Sequence, residues 1–256
     1  MTQHLFLLRE LVRRDFRGRY AGSVLGFLWS FVQPLWQLLL FSFIFGSLMK
    51  ISPLGERTDN FGVFLFCGLL PWTAFHEGIV RASTAITENA SLVKKLNFPS
   101  ELLILAVALG ALLHEAIAAA IFVVVLVLMG ELVLTGLPLL LVALPLQLAL
   151  TLGLGLLLSA VHVFFRDTAQ VVTMVFTGWF YFTPIVYPMS LVPERFLPWI
   201  EANPLTALVA LYRAAFLGGP PVDPSGVLLL ALWSVASAAL GLFLFLRLKP
   251  SFADEI

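Results

Sequence analysis

The chain has 256 residues, of which 60% are hydrophobic and only 12% charged, and its formal net charge is zero. A soluble domain carries about 25% charged residues, and a water-soluble core cannot hide this much apolar surface. The composition excludes an ordinary soluble enzyme and points to an integral membrane protein.

At the N-terminus, Arg9, Arg13, Arg14, Arg17 and Arg19 occupy the place where a cleavable signal peptide needs its apolar core, so no such peptide is expected. Residues 5–20 read instead as an amphipathic helix on the membrane surface. Leu8, Leu11, Val12 and Phe16 share one face and the arginines gather on the other. Asp15 falls on the apolar side, and Arg19, four residues on, is its expected partner. A plain membrane anchor is the alternative role for this segment.

Six apolar runs follow, at 24–49, 61–80, 102–129, 138–163, 169–189 and 227–246. About 20 apolar residues cross the hydrocarbon layer as a helix, and none of these runs alternates as barrel strands do. The expected fold is therefore all-α integral membrane, one domain over 1–256. It comprises six transmembrane helices, an N-terminal interfacial helix at 1–22, and short re-entrant helices between spans five and six. Cys67 is the only cysteine and the four histidines are scattered, so neither a disulfide nor a structural metal site is expected. With the N-terminus cytoplasmic, the inner segments hold the five N-terminal arginines, Arg81, Lys94, Lys95, Arg166, Arg247 and Lys249. The outer segments keep only Lys50, Arg57, Arg195 and Arg213. This asymmetry places both termini inside by the positive-inside rule.

Gly22 to Gly26 form a small-xxx-small spacing ahead of span one, which contains Pro34. Within that span Trp29, Gln33, Trp36 and Phe43 occupy roughly one face. Trp36, near the middle of its span, is away from the interfaces where tryptophan collects. It suits a surface facing protein or a pore, although helix packing and lipid contact are open readings.

The segment 81–101 is too polar for lipid. It reads as a short cytoplasmic helix that Pro99 ends in a fixed turn, or as a solvated loop. Val93, Leu96 and Phe98 are apolar groups on the cytoplasmic side, which suggests a partner surface. Asp167, in the short loop Phe164 to Asp167, can cap the helix after it. Between spans five and six, residues 190–226 are outside by topology yet apolar. Pro193 and Pro204 can each open a helix, with Asn203 as N-cap of the second. That helix, Leu205 to Leu217, is too short to span and too apolar for water, so it reads as re-entrant or interfacial.

No phosphate-binding loop and no cluster of nucleophile, base and orienter is found, so no catalytic residue is assigned. Glu77, His114 and Glu115 lie in or near spans, where ionisable groups are functional candidates. A proton-coupled transporter would use such acids but does not account for the large polar inner loop. A membrane-embedded enzyme would need a convergent polar site at one membrane face.

Four segments resemble the ABC-2 permeases that export O-antigen and other polysaccharides, including the related teichoic acid exporters. They are Arg14-Asp15-Phe16-Arg17-Gly18-Arg19-Tyr20 running on to Gln33-Pro34; Asn89 to Pro99; Phe165-Arg166-Asp167; and Thr183-Pro184-Ile185-Val186-Tyr187-Pro188 with Asn203-Pro204. Threonine stands before Pro184 where the family more often has serine. The resemblance implies a cytoplasmic (inner) membrane channel of two permease copies paired with two separate ATP-binding-cassette subunits. Those subunits, not this chain, hold ATP and Mg. It implies export of lipid-linked glycan, with no nucleic-acid partner, and an exporter of a small lipid or drug is the alternative. On this basis Trp29, Gln33, Trp36, Phe43, Phe176, Trp179, Phe180 and Tyr187 are expected to line the channel. Sugar rings pack on aromatic faces, and a conducting path must bind weakly at many places. Val93, Lys94, Lys95, Leu96 and Phe98, with Arg166 and Asp167, are expected to couple to the ATPase, and Pro193, Asn203, Pro204 and Tyr212 to form an outer gate.

Overall fold

A computed structural model describes residues 2–18, 26–49, 52–53, 55–95, 98–220 and 222–256, and among these it is helix and connecting loop with no strand. The first helix, α1 (Thr2–Gly18), buries Leu11, with Leu7, Leu8 and Val12 packed beside it. Asp15 on this face accepts two bonds from Arg81, at 2.5 and 3.2 Å. The expected partner, Arg19, lies outside the described residues, as do Leu96 and the Gly22 end of the small-xxx-small spacing. Arg14 also donates to the side-chain oxygen of Asn89. The two links tie α1 to the third helix while it packs along the helix Glu101–Met129, so it is more than a free surface anchor.

The second helix, α2 (Trp29–Phe41), continues into a π-helical stretch, Ser42–Leu48. It buries only Ser30, Pro34 and Leu38, a stripe at four-residue steps, and leaves its other sides open. Next, α3 (Phe61–Glu88) is the centre of the bundle. Asn60 caps it by accepting from the amides of Gly62 and Val63 at 2.9 and 3.3 Å. It runs on to Glu88, past the expected end near residue 80. The reason is a second core, where Ala82, Ala85 and Ile86 pack with Leu103, Val107, Leu156 and Phe245. The polar-looking stretch thus hides an apolar helix face. A short α4 (Ala90–Val93) is the expected inner helix, reduced to one turn.

Two long helices follow, α5 (Glu101–Met129), ended by Gly130 at φ +73°, and α6 (Leu140–Phe164), entered through the 3₁₀ turn Leu134–Leu139. Then comes α7 (Thr168–Phe182), which is shorter than the expected span of 169–189. Its 15 residues reach about 22 Å of a roughly 30 Å hydrocarbon layer. It stops because Pro184 holds Thr183 extended, at φ −101° and ψ 134°. Among the described residues, five helical runs, starting at Trp29, Phe61, Glu101, Leu134 and Pro224, are long and apolar enough to cross a membrane.

After the one-turn α8 (Leu197–Glu201), α9 (Pro204–Leu217) begins and ends as its sequence dictates. Asn203 caps it, Pro204 opens it, and Gly218 at φ +62° closes it. Every residue but Ala210 is buried, against α3, α6 and the last long helix, α10 (Pro224–Leu248). A chain too apolar for water is here enclosed by protein. The C-terminal turn α11 (Phe252–Glu255) buries Phe252 against Phe164 and Phe245, with ring centroids 6.4 and 5.3 Å away.

The closest helix contact lies between α6 and α10. A Cβ on Gly153 would stand 2.4 Å from the backbone of Ser237 and Ala238, and one on Gly241 would stand 2.0 Å from the Gly153 carbonyl. Small residues let the two backbones touch, as in other membrane helix pairs. Gly153→Leu should force them apart at a cost of about 3 kcal/mol, read as a lowered unfolding midpoint of the detergent-purified protein. Gly178→Leu, where a Cβ meets nothing within 4 Å, should leave the midpoint unchanged.

Candidate substrate path and coupling surface

Three helices, α2, α7 and α10, each bury a single stripe and keep wide open faces, and α2 and α7 are the two that carry expected channel residues. On α2 and its π-helical continuation, Trp29, Trp36 and Phe43 point outward, Trp36 being 64% exposed, and Gln33 is also exposed. On α7 the buried pair is Val172 and Phe176. Phe176 is therefore not on an open wall: it packs on Phe75, Trp72 and Trp179 at 5.6, 6.0 and 5.4 Å. Trp179 and Phe180 are half-buried in the same aromatic cluster against α3. Tyr187 does not share their helix face, because the helix has ended by then, and its hydroxyl donates to the Tyr181 carbonyl at 3.0 Å. The outward large apolar side chains of α7 are Val171, Met174, Val175, Tyr181 and Phe182, which the aromatic periodicity passes over.

At the hairpin end, α9 grips the turn after α7. Asn203 donates to Thr183 Oγ1 and accepts from the indole of Trp179, both at 2.9 Å, while the same carbonyl accepts from Leu205 N. Arg213 donates to the carbonyls of Pro184 and Ile185 at 2.8 and 2.9 Å, and its guanidinium lies 3.6 Å from the centre of the Phe64 ring. Breaking the helix at Pro184 frees those carbonyls, and Arg213 takes them. Of the expected gate residues, Asn203, Pro204 and Tyr212 are buried structural members and Pro193 is exposed. Arg213 is missing from that set, although a charged side chain within an apolar 13-mer is a visible signal.

The opposite end carries α4, α11 and the α6–α7 loop. Lys94 and Lys95 are exposed, whereas Val93 and Phe98 are half-buried against the second core. Arg166 and Asp167 are exposed. Asp167 makes no capping bond to α7, which removes the structural role expected of it. The tail joins the two regions, since α11 touches both α4 and α6. Just before it, Lys249 pairs with Glu101 at 2.6 Å and so ties the tail to the start of α5.

Between α2, α3 and α5 lies a cavity of about 670 Å³. Its wall includes Gln33 and Gln37 from α2, Thr73, His76, Glu77 and Arg81 from α3, and His114 and Glu115 from α5. Glu77 stands 3.6 Å from both Arg81 and His114. Glu115 is buried, with one oxygen accepting from Gln147 Nε2 at 2.7 Å, and Gln147 accepts in turn from the Tyr212 hydroxyl at 2.7 Å. Glu77, His114 and Glu115, far apart as the sequence runs, thus share one cavity, and Tyr212 of α9 is tied to it.

The family model for the ABC-2 type transporter matches residues 7–217 of the chain. The chain belongs to the ABC-2 type transporter family. Among similar proteins, the O-antigen export system permease protein RfbA of Myxococcus xanthus is 30% identical, covering 100% of this chain and 97% of that protein. The RfbA of Klebsiella pneumoniae is 30% identical over 97% of this chain and 94% of its own length. The polysialic acid transport protein KpsM of Escherichia coli is 27% identical over 93% and 92%. A transport subunit of this family is not itself an enzyme, in keeping with the lack of an assigned catalytic residue.

The grip of α9 on the turn gives a direct test of this ABC-2 permease. Arg213→Lys keeps the charge but loses the planar fork. It should cost about 2 kcal/mol, the scale of hydrogen bonds to a charged group, seen as a lower unfolding midpoint. Arg195→Lys, at an exposed site, should change nothing.

Proposed function

We propose that this chain is the channel subunit of an ATP-driven exporter that moves lipid-linked O-antigen or a similar cell-surface polysaccharide across the cytoplasmic membrane. The observation that carries the reading is the near full-length similarity to two O-antigen export permeases and a polysialic acid transport protein. The open faces of α2 and α7 support it. A second copy and a glycan path would use those faces, with Trp29, Trp36, Phe43, Tyr181 and Phe182 offering apolar ring surfaces to sugar. Two ATP-binding-cassette subunits supply the energy and hold ATP and Mg. Both termini are cytoplasmic, which puts the basic segment around Lys94 and Lys95 on the ATPase side.

Deleting the gene should abolish surface polysaccharide and leave lipid-linked glycan inside the cell. Normal surface glycan in the deletion strain would refute the reading. For topology, a cysteine replacing Asp59, in a protein whose buried Cys67 is changed to Ala, should react with an impermeant reagent from outside, and one replacing Ser91 should not.

Docking at the basic segment should show as a charge effect, because Lys94 and Lys95 are exposed while Val93 and Phe98 help hold the fold. Lys94→Glu with Lys95→Glu should reduce co-purification of the ATPase about tenfold, the order expected when surface charges steer association, without lowering the unfolding midpoint.

A further inference from the structure

The cavity between α2, α3 and α5 has a role that neither the open faces nor the coupling end accounts for. It extends along α3 from Phe66 to Arg81, a rise of about 22 Å. Its volume of about 670 Å³ is that of a small-molecule pocket, commonly about 300–1,000 Å³. One buried group points to a ligand. Glu115 is 5% exposed, and its Oε1 has no hydrogen-bond partner while Oε2 is held by Gln147.

The chemistry of the wall narrows the ligand. Arg81 is engaged by Asp15 and faces Glu77, and a phosphate here would meet the carboxylates of Glu77 and Glu115. Among the described residues no group of three His, Cys, Asp or Glu side chains can hold a metal. An acyl chain would strand the amides of Gln33 and Gln37 against hydrocarbon. A neutral molecule rich in hydroxyls meets these demands. Its O–H donates to Glu115 Oε1, and the two glutamine amides can both donate and accept. The His76 ring, which stacks on Trp72 at 6.0 Å and 15°, adds a flat surface at the wall.

We propose that this cavity is a sugar-binding subsite inside each protomer, distinct from the open faces of α2 and α7. The inference rests on the polysaccharide-export reading above. Through Gln147, an occupied Glu115 touches Tyr212 of α9, so sugar in the cavity is sensed at the hairpin end.

The test uses a photoreactive benzophenone side chain placed at Gln37 or Thr73 in the cavity, at Trp36 on the open face, or at Ile117 in the apolar groove on the other side of α5. The full exporter is irradiated in cells that make the polymer, with an ATPase variant unable to hydrolyse ATP. Glycan adducts, recognised as slow-migrating bands removed by periodate, are expected from positions 37 and 73 and not from 117. Gln37→Leu should lower the adduct yield at position 73 about fivefold or more, as loss of a polar partner at a half-buried wall position predicts, with the unfolding midpoint unchanged. Adducts at 36 but none at 37 or 73 would overturn the subsite and leave the export reading standing, as would equal labelling at 117. No adduct anywhere, together with normal surface glycan in the deletion strain, would overturn the export reading itself.

Discussion

The hairpin end depends on one buried cation. The guanidinium of Arg213 lies among neutral partners, two backbone carbonyls and the ring of Phe64. Burying a charge is costly unless its donors find acceptors, and here Nη1 and Nη2 find theirs in a helix that Pro184 has broken, while Nε has no hydrogen-bond partner. The break and the charge therefore require each other. Asn203 adds a second clasp while capping α9, so α9 is fixed in place at both its start and its middle. A 14-residue helix buried on nearly every side would otherwise have little to set its depth among longer neighbours.

Burial is uneven around that centre. Most of α3 is enclosed, whereas α2 and α7 bury one stripe each. An apolar helix with open sides is stable in lipid without further partners, because lipid tails are as apolar as leucine and helix association there rests on close packing and hydrogen bonds. The bundle accordingly puts its tightest backbone contact, Gly153 against Gly241, between α6 and α10, and leaves α2 and α7 free for other contacts. The polar cavity sits between these regimes, walled by the open helices α2 and α5 and by the enclosed α3.

Much of this is legible in the chain. Apolar run length sets the membrane class, and Asn203, Pro204 and Gly218 mark the limits of α9 to within a residue. The order of the short motifs points to the ABC-2 family. Pro184 is visible too, yet hydropathy carries the fifth span through it to residue 189, while the helix ends at Phe182. Among the proposed channel aromatics, the face of α2 is open, but Phe176 turns inward, since its stripe is the one that meets Trp72 and Phe75 of α3.

What the sequence determined by itself was local: helix, break, cap and the amphipathic face of α1, all set by residues within a turn or two of one another. Only the tertiary structure decided partners across the chain. Asp15 finds Arg81 at a separation of 66 residues, and Tyr212 finds Gln147 at 65. Periodicity states which side chains share a face and says nothing of what that face meets. The neighbour is chosen by how whole helices pack, and that choice joined Glu77, His114 and Glu115 around one cavity and enclosed α9 in protein.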